Sequence, residues 1–194
     1  MNAFDAEKHE YRIAGRRVPS VTQILKDIYG EAIWSASDWY LERGRAVHAC
    51  AAMIARGVEF EHDPQIAGQV AACRKFFADL KPTVLEVEAQ DWNEQYMYGM
   101  TLDMRGLIDG PETIVDWKSA LSKVAEIQIG GYALKRPTAK RGMVVALLES
   151  GNYKCGKPFK LEQRKNEFLA TLSVFNIRRR LGIKTQQETE GEQT

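Results

Sequence analysis

The sequence has no apolar run of the roughly 18 to 20 residues that a bilayer-spanning helix needs. It also has few cysteines: the three, Cys50, Cys73 and Cys155, are far apart and form no Cys-x-x-Cys pair. An odd, scattered set argues against a zinc finger and an iron–sulfur cluster, and it suits a reducing compartment. The first residues lack an apolar signal core, so we expect no export signal.

The composition is that of an ordinary globular protein. Hydrophobic residues make up 44% and charged residues 27% of the 194 residues. This length suits one domain with a sizeable core. We predict a single domain over residues 1–184 and a disordered polar tail, TQQETEGEQT, over residues 185–194.

Net charge is also scarce, at +1 for the whole chain, but it is unevenly distributed. Residues 1–134 carry 14 lysines and arginines against 20 acidic residues, whereas residues 135–165 carry 9 against 2. A basic segment on an otherwise acidic chain suits a polyanionic partner such as nucleic acid. The alternative is a lysine-rich surface that only solvates the protein.

The most informative stretch is residues 96–119, YMYGMTLDMRGLIDGPETIVDWKS. Its alternation predicts two strands joined by a turn at Asp109-Gly110. In such a hairpin Asp103 and Asp116 can lie side by side. Lys118, two residues after Asp116, points to the same face. Two carboxylates this close repel each other unless a cation lies between them, and hard divalent cations prefer oxygen ligands. The alternative is an ordinary solvated strand face.

Other patterns predict helices around this hairpin. Ser20 and Gln23 have the spacing of a capping box, which predicts a helix over residues 20–29. A long helix over residues 35–56, capped by Ser35 or Ser37, carries His48 beside its apolar stripe, where a histidine is either a core residue or a ligand. The remaining predicted elements are helices over residues 64–80, 124–134 and 158–181, strands over residues 83–89 and 143–148, and a turn over residues 150–152.

The order of these motifs resembles the PD-(D/E)XK nuclease superfamily. The matching pieces are ERGRAVH, a strand with two glutamates, TLD, VDWKS, and a helix with QIGGYA. The chain is most similar to the RecB-like branch, which includes phage-type exonucleases and the mitochondrial genome maintenance exonuclease. The resemblance covers about two thirds of the chain, from residue 19 to residue 153. It implies an α/β fold with a restriction-endonuclease-like core, in which helices flank a mixed central sheet.

The resemblance also implies roles for individual residues. Metal ligands for Mg²⁺ or Mn²⁺ would be His48, Asp103 and Asp116, and Lys118 would be the catalytic lysine. Gln128 and Tyr132, four residues apart on one helix, would support the site and contact DNA. Glu88, or alternatively Glu86, would match an acidic residue upstream of the hairpin.

The predicted contacts with nucleic acid extend beyond these residues, into the basic segment. They are Arg43, Arg45, Ser119, Gln128, Tyr132, Lys135, Arg136, Lys140 and Arg141. The last four are expected near the carboxylates, since the helix that precedes them should abut the site. Candidates for stacking on an unpaired base are Trp34, Trp39 and Tyr132.

The sequence departs from the family pattern at two positions. Met100 stands where relatives often have the glycine of Gly-Thr-Leu-Asp, and Ser119 stands where threonine is usual. Asp109 is a second candidate for the first aspartate. We prefer Asp103, because Asp109 is needed in the turn.

The function implied is that of a metal-dependent deoxyribonuclease, an exonuclease in phage or bacterial DNA recombination or repair. Its substrate would be single-stranded DNA or duplex ends. Its partners would include a phage or host recombination protein but no membrane, and it would act in the cytoplasm of a bacterial or phage-infected cell. The alternatives are a structure-specific endonuclease of the same superfamily and a non-catalytic nucleic-acid-binding module.

Overall fold

The computed structural model describes residues 1–6, 8–30 and 38–183. The five helices within these ranges are α1 (Val21–Tyr29), α2 (Asp38–Ala55), α3 (Ala67–Leu80), α4 (Lys123–Ala133) and α5 (Leu161–Arg180). The strands are β1 (Ala3–Asp5), β2 (Glu10–Ile13), β3 (Arg16–Val18), β4 (Thr83–Asn93), β5 (Tyr98–Leu107), β6 (Glu112–Lys118), β7 (Arg141–Leu147), β8 (Tyr153–Cys155) and β9 (Phe159–Lys160). No helix in these ranges is long and apolar enough to cross a membrane.

The larger sheet has the strand order β4-β5-β6-β7-β8, and β9 also pairs with β7. Its strands are antiparallel except for β6 and β7, which are parallel and are joined through α4. A parallel pair needs such a crossover, because a tight turn can only reverse the chain. The sheet is therefore mixed, as the sequence predicted.

Helices cover both faces of this sheet. One core cluster joins α1, α4 and α5 to a face that includes Ile114 and Val144. The other joins α2 and α3 to the opposite face, which includes Val115 and Val145. Consecutive residues of β6 and β7 thus enter opposite cores, as the alternation of a strand requires. The predicted α/β fold class is confirmed.

A small sheet, β1-β2-β3, packs against β5 at the N-terminal end of that strand. The hydroxyl of Tyr11 hydrogen-bonds Thr101 Oγ1, and the Tyr11 ring lies over Gly99. A Cβ atom on Gly99 would lie 2.1 Å from the ring, so this contact requires glycine. The small sheet is thereby fixed two residues before Asp103.

Several predicted local features are present. The capping box of Ser20 and Gln23 begins α1 with both of its hydrogen bonds. Asp109 and Gly110 have φ of +48° and +101°, as a tight turn between β5 and β6 requires. The predicted caps Ser35 and Ser37, and the predicted disordered tail, lie outside the described residues.

Two predicted helix starts were wrong. The helix expected from residue 64 begins with a 3₁₀ turn, Pro64–Ile66, and becomes α-helical at Ala67. The last helix begins at Leu161 rather than at residue 158, because Phe159 and Lys160 pair with β7 as β9.

Candidate metal centre and active site

Two aspartates face each other across β5 and β6. The register pairs Met104 with Val115, so the next residues, Asp103 and Asp116, occupy opposing positions. The backbone amide of Trp117 donates to Asp103 Oδ2 at 2.8 Å, which fixes the orientation of that carboxylate. Asp103 is 5% exposed and Asp116 is fully buried. The predicted proximity of the two carboxylates is confirmed.

Lys118 is the cation nearest to Asp116. Its Nζ lies 2.7 Å from Asp116 Oδ2. Neither Asp116 oxygen makes a well-oriented hydrogen bond to any described residue. Burial raises the pKa of Asp116 to about 6, against the opposing charge of Lys118. Burial lowers the pKa of Lys118, but Asp116 and Asp103 outweigh it, so that pKa is raised and Lys118 stays an ammonium.

His48 reaches Asp103 from α2. Its Nδ1 lies 3.3 Å from Asp103 Oδ1 and 3.9 Å from Glu88 Oε1. Burial by itself lowers the pKa of His48, but the charge of Asp103 outweighs it and the net shift is upward. One ligand atom from each of His48, Glu88 and Asp103 lies within 4.8 Å of the other two. We refer to these three residues as the trio.

Glu88 enters the trio through a strained backbone. The register pairs Val87 with Met104, which sets Glu88 opposite Asp103. The φ of Glu88 is +48°, a left-handed value that costs a non-glycine residue about 1–3 kcal/mol. Burial and the nearby Asp103 raise the pKa of Glu88 to about 7. Strain of this kind is concentrated at ligand-binding and catalytic sites.

The arrangement of these carboxylates and the imidazole suits a divalent cation. Glu88, Asp103 and Asp116 place three carboxylates against the single ammonium of Lys118. Mg²⁺ and Mn²⁺ take carboxylate ligands, and a neutral imidazole is a common metal ligand. The buried oxygens of Asp116, which lack oriented donors in the described part of the chain, add a further place for a cation or its water. The trio is a group that could hold such a cation, with Asp116 beside it.

The two glutamates of β4 have different partners. Glu86 accepts hydrogen bonds from Arg105 Nε and Arg136 Nε, both at 2.7 Å. Glu88 instead belongs to the trio. The alternative candidate Asp109 is also excluded from this cluster, since it lies exposed in the β5–β6 turn.

Gln128 and Tyr132 lie on α4, beneath the aspartates. Both are buried, at 4% and 3% exposed, and Gln128 Nε2 donates to the Tyr132 hydroxyl. Burial, then Asp116 and Asp103, raises the pKa of Tyr132 well above its usual value. The suggested stacking of Tyr132 on a base was wrong, because its ring has no exposed face. The burial of Gln128 and Tyr132 near the aspartates is consistent with the predicted role of supporting the site. The predicted contact of these two residues with DNA stays a prediction.

Most of the basic residues at the start of the basic segment bond to other groups of the protein. Lys135 pairs with Glu94 and Asp91, and Arg136 pairs with Glu86 and Asp91. Arg141 donates to Thr113 Oγ1 and to the carbonyl of Ile108. Lys140 is exposed.

That these four residues adjoin the site stays a prediction. In the β6–β7 register Arg141 is level with Thr113, three residues before Asp116. The contact of these four residues with nucleic acid remains untested.

Other predicted contacts are distributed around α2 and the end of β6. Arg43 pairs with Glu149 and lies 5.3 Å from the ring centroid of Trp39, which is 49% exposed. Arg45 and Ser119 are exposed and available to a ligand. Trp34 lies outside the described residues.

Comparison with known proteins gives a limited likeness. No protein-family model matches the sequence, and no curated protein matches it. A crystal structure of LHK-Exo in complex with dAMP is similar at a TM-score of 0.48 and 11% identity, covering 91% of this chain and 95% of that one. A second structure, of the alkaline exonuclease LHK-Exo from Laribacter hongkongensis, is similar at a TM-score of 0.46 and 11% identity, covering 88% of this chain and 93% of that one. Function is therefore argued from the residues of the site.

Proposed function

We propose that this protein is a divalent-cation-dependent deoxyribonuclease that hydrolyses phosphodiester bonds, most specifically an exonuclease. The observation that supports it best is the convergence of His48, Glu88 and Asp103 within 4.8 Å, beside the Asp116–Lys118 pair. Three carboxylates, an imidazole and an ammonium in one partly buried cluster suit metal-assisted hydrolysis of a phosphate ester. The exonuclease assignment rests on the sequence motifs that resemble the RecB-like branch.

Mg²⁺ or Mn²⁺ held by the trio and Asp116 would act as a Lewis acid on the scissile phosphate and would lower the pKa of a water molecule. Asp103 is oriented for this by the amide of Trp117. The amide of Trp117 holds Asp103 Oδ2. Asp103 Oδ1 is then left to face the other two members of the trio, and it lies 3.3 Å from His48 Nδ1.

Lys118 acts as a donor rather than as a base. The upward shift of its pKa keeps it protonated, so it cannot remove a proton from water at neutral pH. It can orient the attacking water and offset the negative charge that develops on the phosphate. The water oxygen forms a bond to phosphorus, the ester P–O bond breaks, and the water's protons end on the departing sugar oxygen and on solvent or the phosphate product.

Gln128 and Tyr132 serve as positioning residues. Tyr132 stays a neutral phenol, since its pKa lies well above the usual value. A neutral hydroxyl and amide beneath Asp116 limit how far that carboxylate can turn toward α4. Their burial supports this role more directly than contact with a strand of DNA.

The test is digestion of end-labelled linear DNA and covalently closed circles, with Mg²⁺ or Mn²⁺ and with excess EDTA. We expect linear DNA to be degraded from its ends, circles to survive, and EDTA to stop the reaction. Lys118→Gln should retain the fold by circular dichroism and lose activity. Nicked or linearised circles would indicate the structure-specific endonuclease, and binding without cleavage would indicate the non-catalytic module. Undiminished activity in EDTA would overturn the proposed function.

A further inference from the structure

The face of the sheet that carries Asp116 and Lys118 continues across β7 to β8. Lys118 pairs with Ala146 across the parallel β6–β7 ladder, and Ala146 pairs with Lys154 across the antiparallel β7–β8 ladder. Residues paired across a sheet project from the same face. Lys118, Ala146 and Lys154 therefore form one row, with an alanine between two lysines.

The orientation of Lys154 is fixed independently by its neighbour. The Tyr153 ring lies 5.5 Å from the ring of Phe76 and packs with the core cluster that contains Trp117. Trp117 lies between Asp116 and Lys118 and projects from the opposite face of β6. Because Tyr153 is on the Trp117 side, Lys154 is on the side of Asp116 and Lys118.

The chain after β8 stays close to the end of β6. The amide of Gly156 donates to the carbonyl of Val144 at 2.8 Å. A Cβ atom on Gly156 would lie 3.7 Å from Leu121 Cδ2. Lys154 and Lys157, both exposed, thus flank the loop that leaves Lys118.

Among the described residues Lys154 has no acidic partner, unlike several other cations of the basic segment. Lys135, Arg136 and Arg164 all pair with carboxylates. In the described ranges no ion pair involves Lys154. Adjacent strands are about 4.8 Å apart, so the Lys118 and Lys154 backbones are separated by about 10 Å.

We propose that Lys154 holds the phosphodiester backbone of the polynucleotide substrate beside the scissile phosphate, with Lys118 and Lys154 contacting neighbouring parts of one strand. This rests on the proposed function, because it takes the Asp116–Lys118 end of β6 as the reacting centre. An exposed ammonium binds a phosphate without reading the base, so the contact is independent of sequence.

The test compares Lys154→Gln with Lys160→Gln in the full-length protein. Lys160 is an exposed lysine of the same segment. In the strand register it lies opposite Arg141, at the other end of β7 from Ala146. Each variant loses one charge, so their difference isolates position. Binding of a fluorescent single strand and a fluorescent duplex is measured in an Asp116→Asn background with Mn²⁺ at 50, 100 and 200 mM salt.

We expect Lys154→Gln to reduce the slope of log affinity against log salt by about 0.7 on single strands or about 0.9 on duplex. Between 50 and 200 mM salt, the affinity of Lys154→Gln should then fall by a factor about threefold smaller than that of the Asp116→Asn protein without it. Lys160→Gln should change the slope less. With Asp116 restored, Lys154→Gln should raise KM with little change in kcat, whereas Lys118→Gln should lower kcat.

Equal slopes and affinities for Lys154→Gln and Lys160→Gln would overturn the proposal, and cleavage by the wild type would then leave the proposed function standing. If the wild type binds DNA without cutting it, the proposed function fails and the binding comparison still decides the role of Lys154. If the wild type neither binds nor cuts DNA with Mg²⁺ or Mn²⁺, both fail. Melting temperatures of the two variants exclude unfolding as the cause.

Discussion

Two clusters of charged side chains occupy the same strands, β4 to β6, and they are built differently. The paired cluster consists of Glu86, Asp91, Arg105, Glu112 and Arg136. The site cluster consists of His48, Glu88, Asp103, Asp116 and Lys118. In the paired cluster each carboxylate receives at least one hydrogen bond from a guanidinium. In the site cluster three carboxylates share one ammonium and an imidazole, and Asp116 lacks an oriented donor among the described residues.

The contrast is sharpest for Glu86 and Glu88, two residues apart on β4. Burial raises the pKa of Glu86, but Arg105 and Arg136 outweigh it and the net shift is downward. Burial and the neighbouring Asp103 raise the pKa of Glu88 to about 7. Protein cations therefore outweigh burial at Glu86, whereas at Glu88 the nearby His48 and Arg56 do not.

This difference separates structural from functional charge. A carboxylate matched by donors on the same protein stabilises the fold and has little capacity left for a ligand. Carboxylates gathered without matching cations raise the energy of the empty site, and a bound cation lowers it. Mutations in the two clusters should therefore affect different measurable properties.

The largest effect is expected from Asp116→Asn. Nuclease activity should fall by about 10³-fold or more, because charge stabilisation at the reacting phosphate is lost. The fold should persist, because Lys118 loses its ion pair with Asp116 but keeps Asp103 as a nearby anion. Turnover is measured on end-labelled DNA, and stability by thermal denaturation. Near-normal turnover, or an unfolded variant, would contradict the assignment of the site cluster.

The next effect concerns cation affinity. His48→Ala should weaken Mn²⁺ binding at least about 10-fold, since losing even a residue that only orients a ligand costs about 10–100-fold. Calorimetric titration of the metal-free protein measures this. Ile54→Ala is the matched control on α2, where Ile54 packs against the hydrophobic core. It should lower stability and leave the affinity unchanged, so equal affinities for His48→Ala and the wild type would refute the ligand role.

A smaller effect, on stability alone, is expected from Glu112→Gln. This change removes the charge that pairs with Arg105 Nη1 and accepts from Thr138 Oγ1. The free energy of unfolding should fall by about 1–2 kcal/mol, the usual range for a charged hydrogen bond that is not fully buried. Denaturant titration measures it, with the rate of DNA cleavage as the second readout. If Glu112→Gln lost activity without losing stability, the paired cluster could not be called structural in contrast to the site cluster.

The smallest effect concerns the strain at Glu88. Glycine adopts φ near +48° without cost, whereas glutamine keeps the strain of glutamate. Glu88→Gly should therefore be about 1 kcal/mol more stable than Glu88→Gln in the metal-free protein, while both weaken Mn²⁺ binding. Parallel denaturant titrations in EDTA compare the two. Equal stabilities would mean that the left-handed backbone at Glu88 is not a source of strain.

Sequence reasoning succeeded where the determining pattern is local. The capping box of α1 depends on two residues three apart, and the hairpin depends on strand alternation and one turn. These were enough to place Asp103, Asp116 and Lys118 on one patch. The position of His48 came from the resemblance to a family, because the spacing within α2 does not say what the helix packs against.

Sequence reasoning failed where partners are distant in the chain. Arg136 bonds Glu86 and Asp91, which precede it by 50 and 45 residues. A count of charged residues in a segment cannot show that such an arginine is already paired with distant carboxylates. The left-handed backbone of Glu88 also leaves no trace in the alternation of β4.

Lys154 was within reach of the sequence. The turn over residues 150–152 was predicted, and counting outward from it pairs Leu147 with Tyr153 and Ala146 with Lys154. The step that was missing was the register of β7 on β6, which depends on how α4 returns the chain. A crossover connection sets that register through tertiary packing, and no local motif encodes it.

The contact of Tyr11 with Gly99 and Thr101 has a consequence for the order of folding. The hydrogen bond between Tyr11 and Thr101 closes a loop of 90 residues, and contacts of such separation form slowly. The β4–β5–β6 meander, whose contacts are short-range, can assemble before the small sheet docks. Tyr11 then closes over Gly99 as a late step. A substitution at Gly99 should therefore mainly speed unfolding and leave the folding rate nearly unchanged, as expected for a contact that is absent from the transition state.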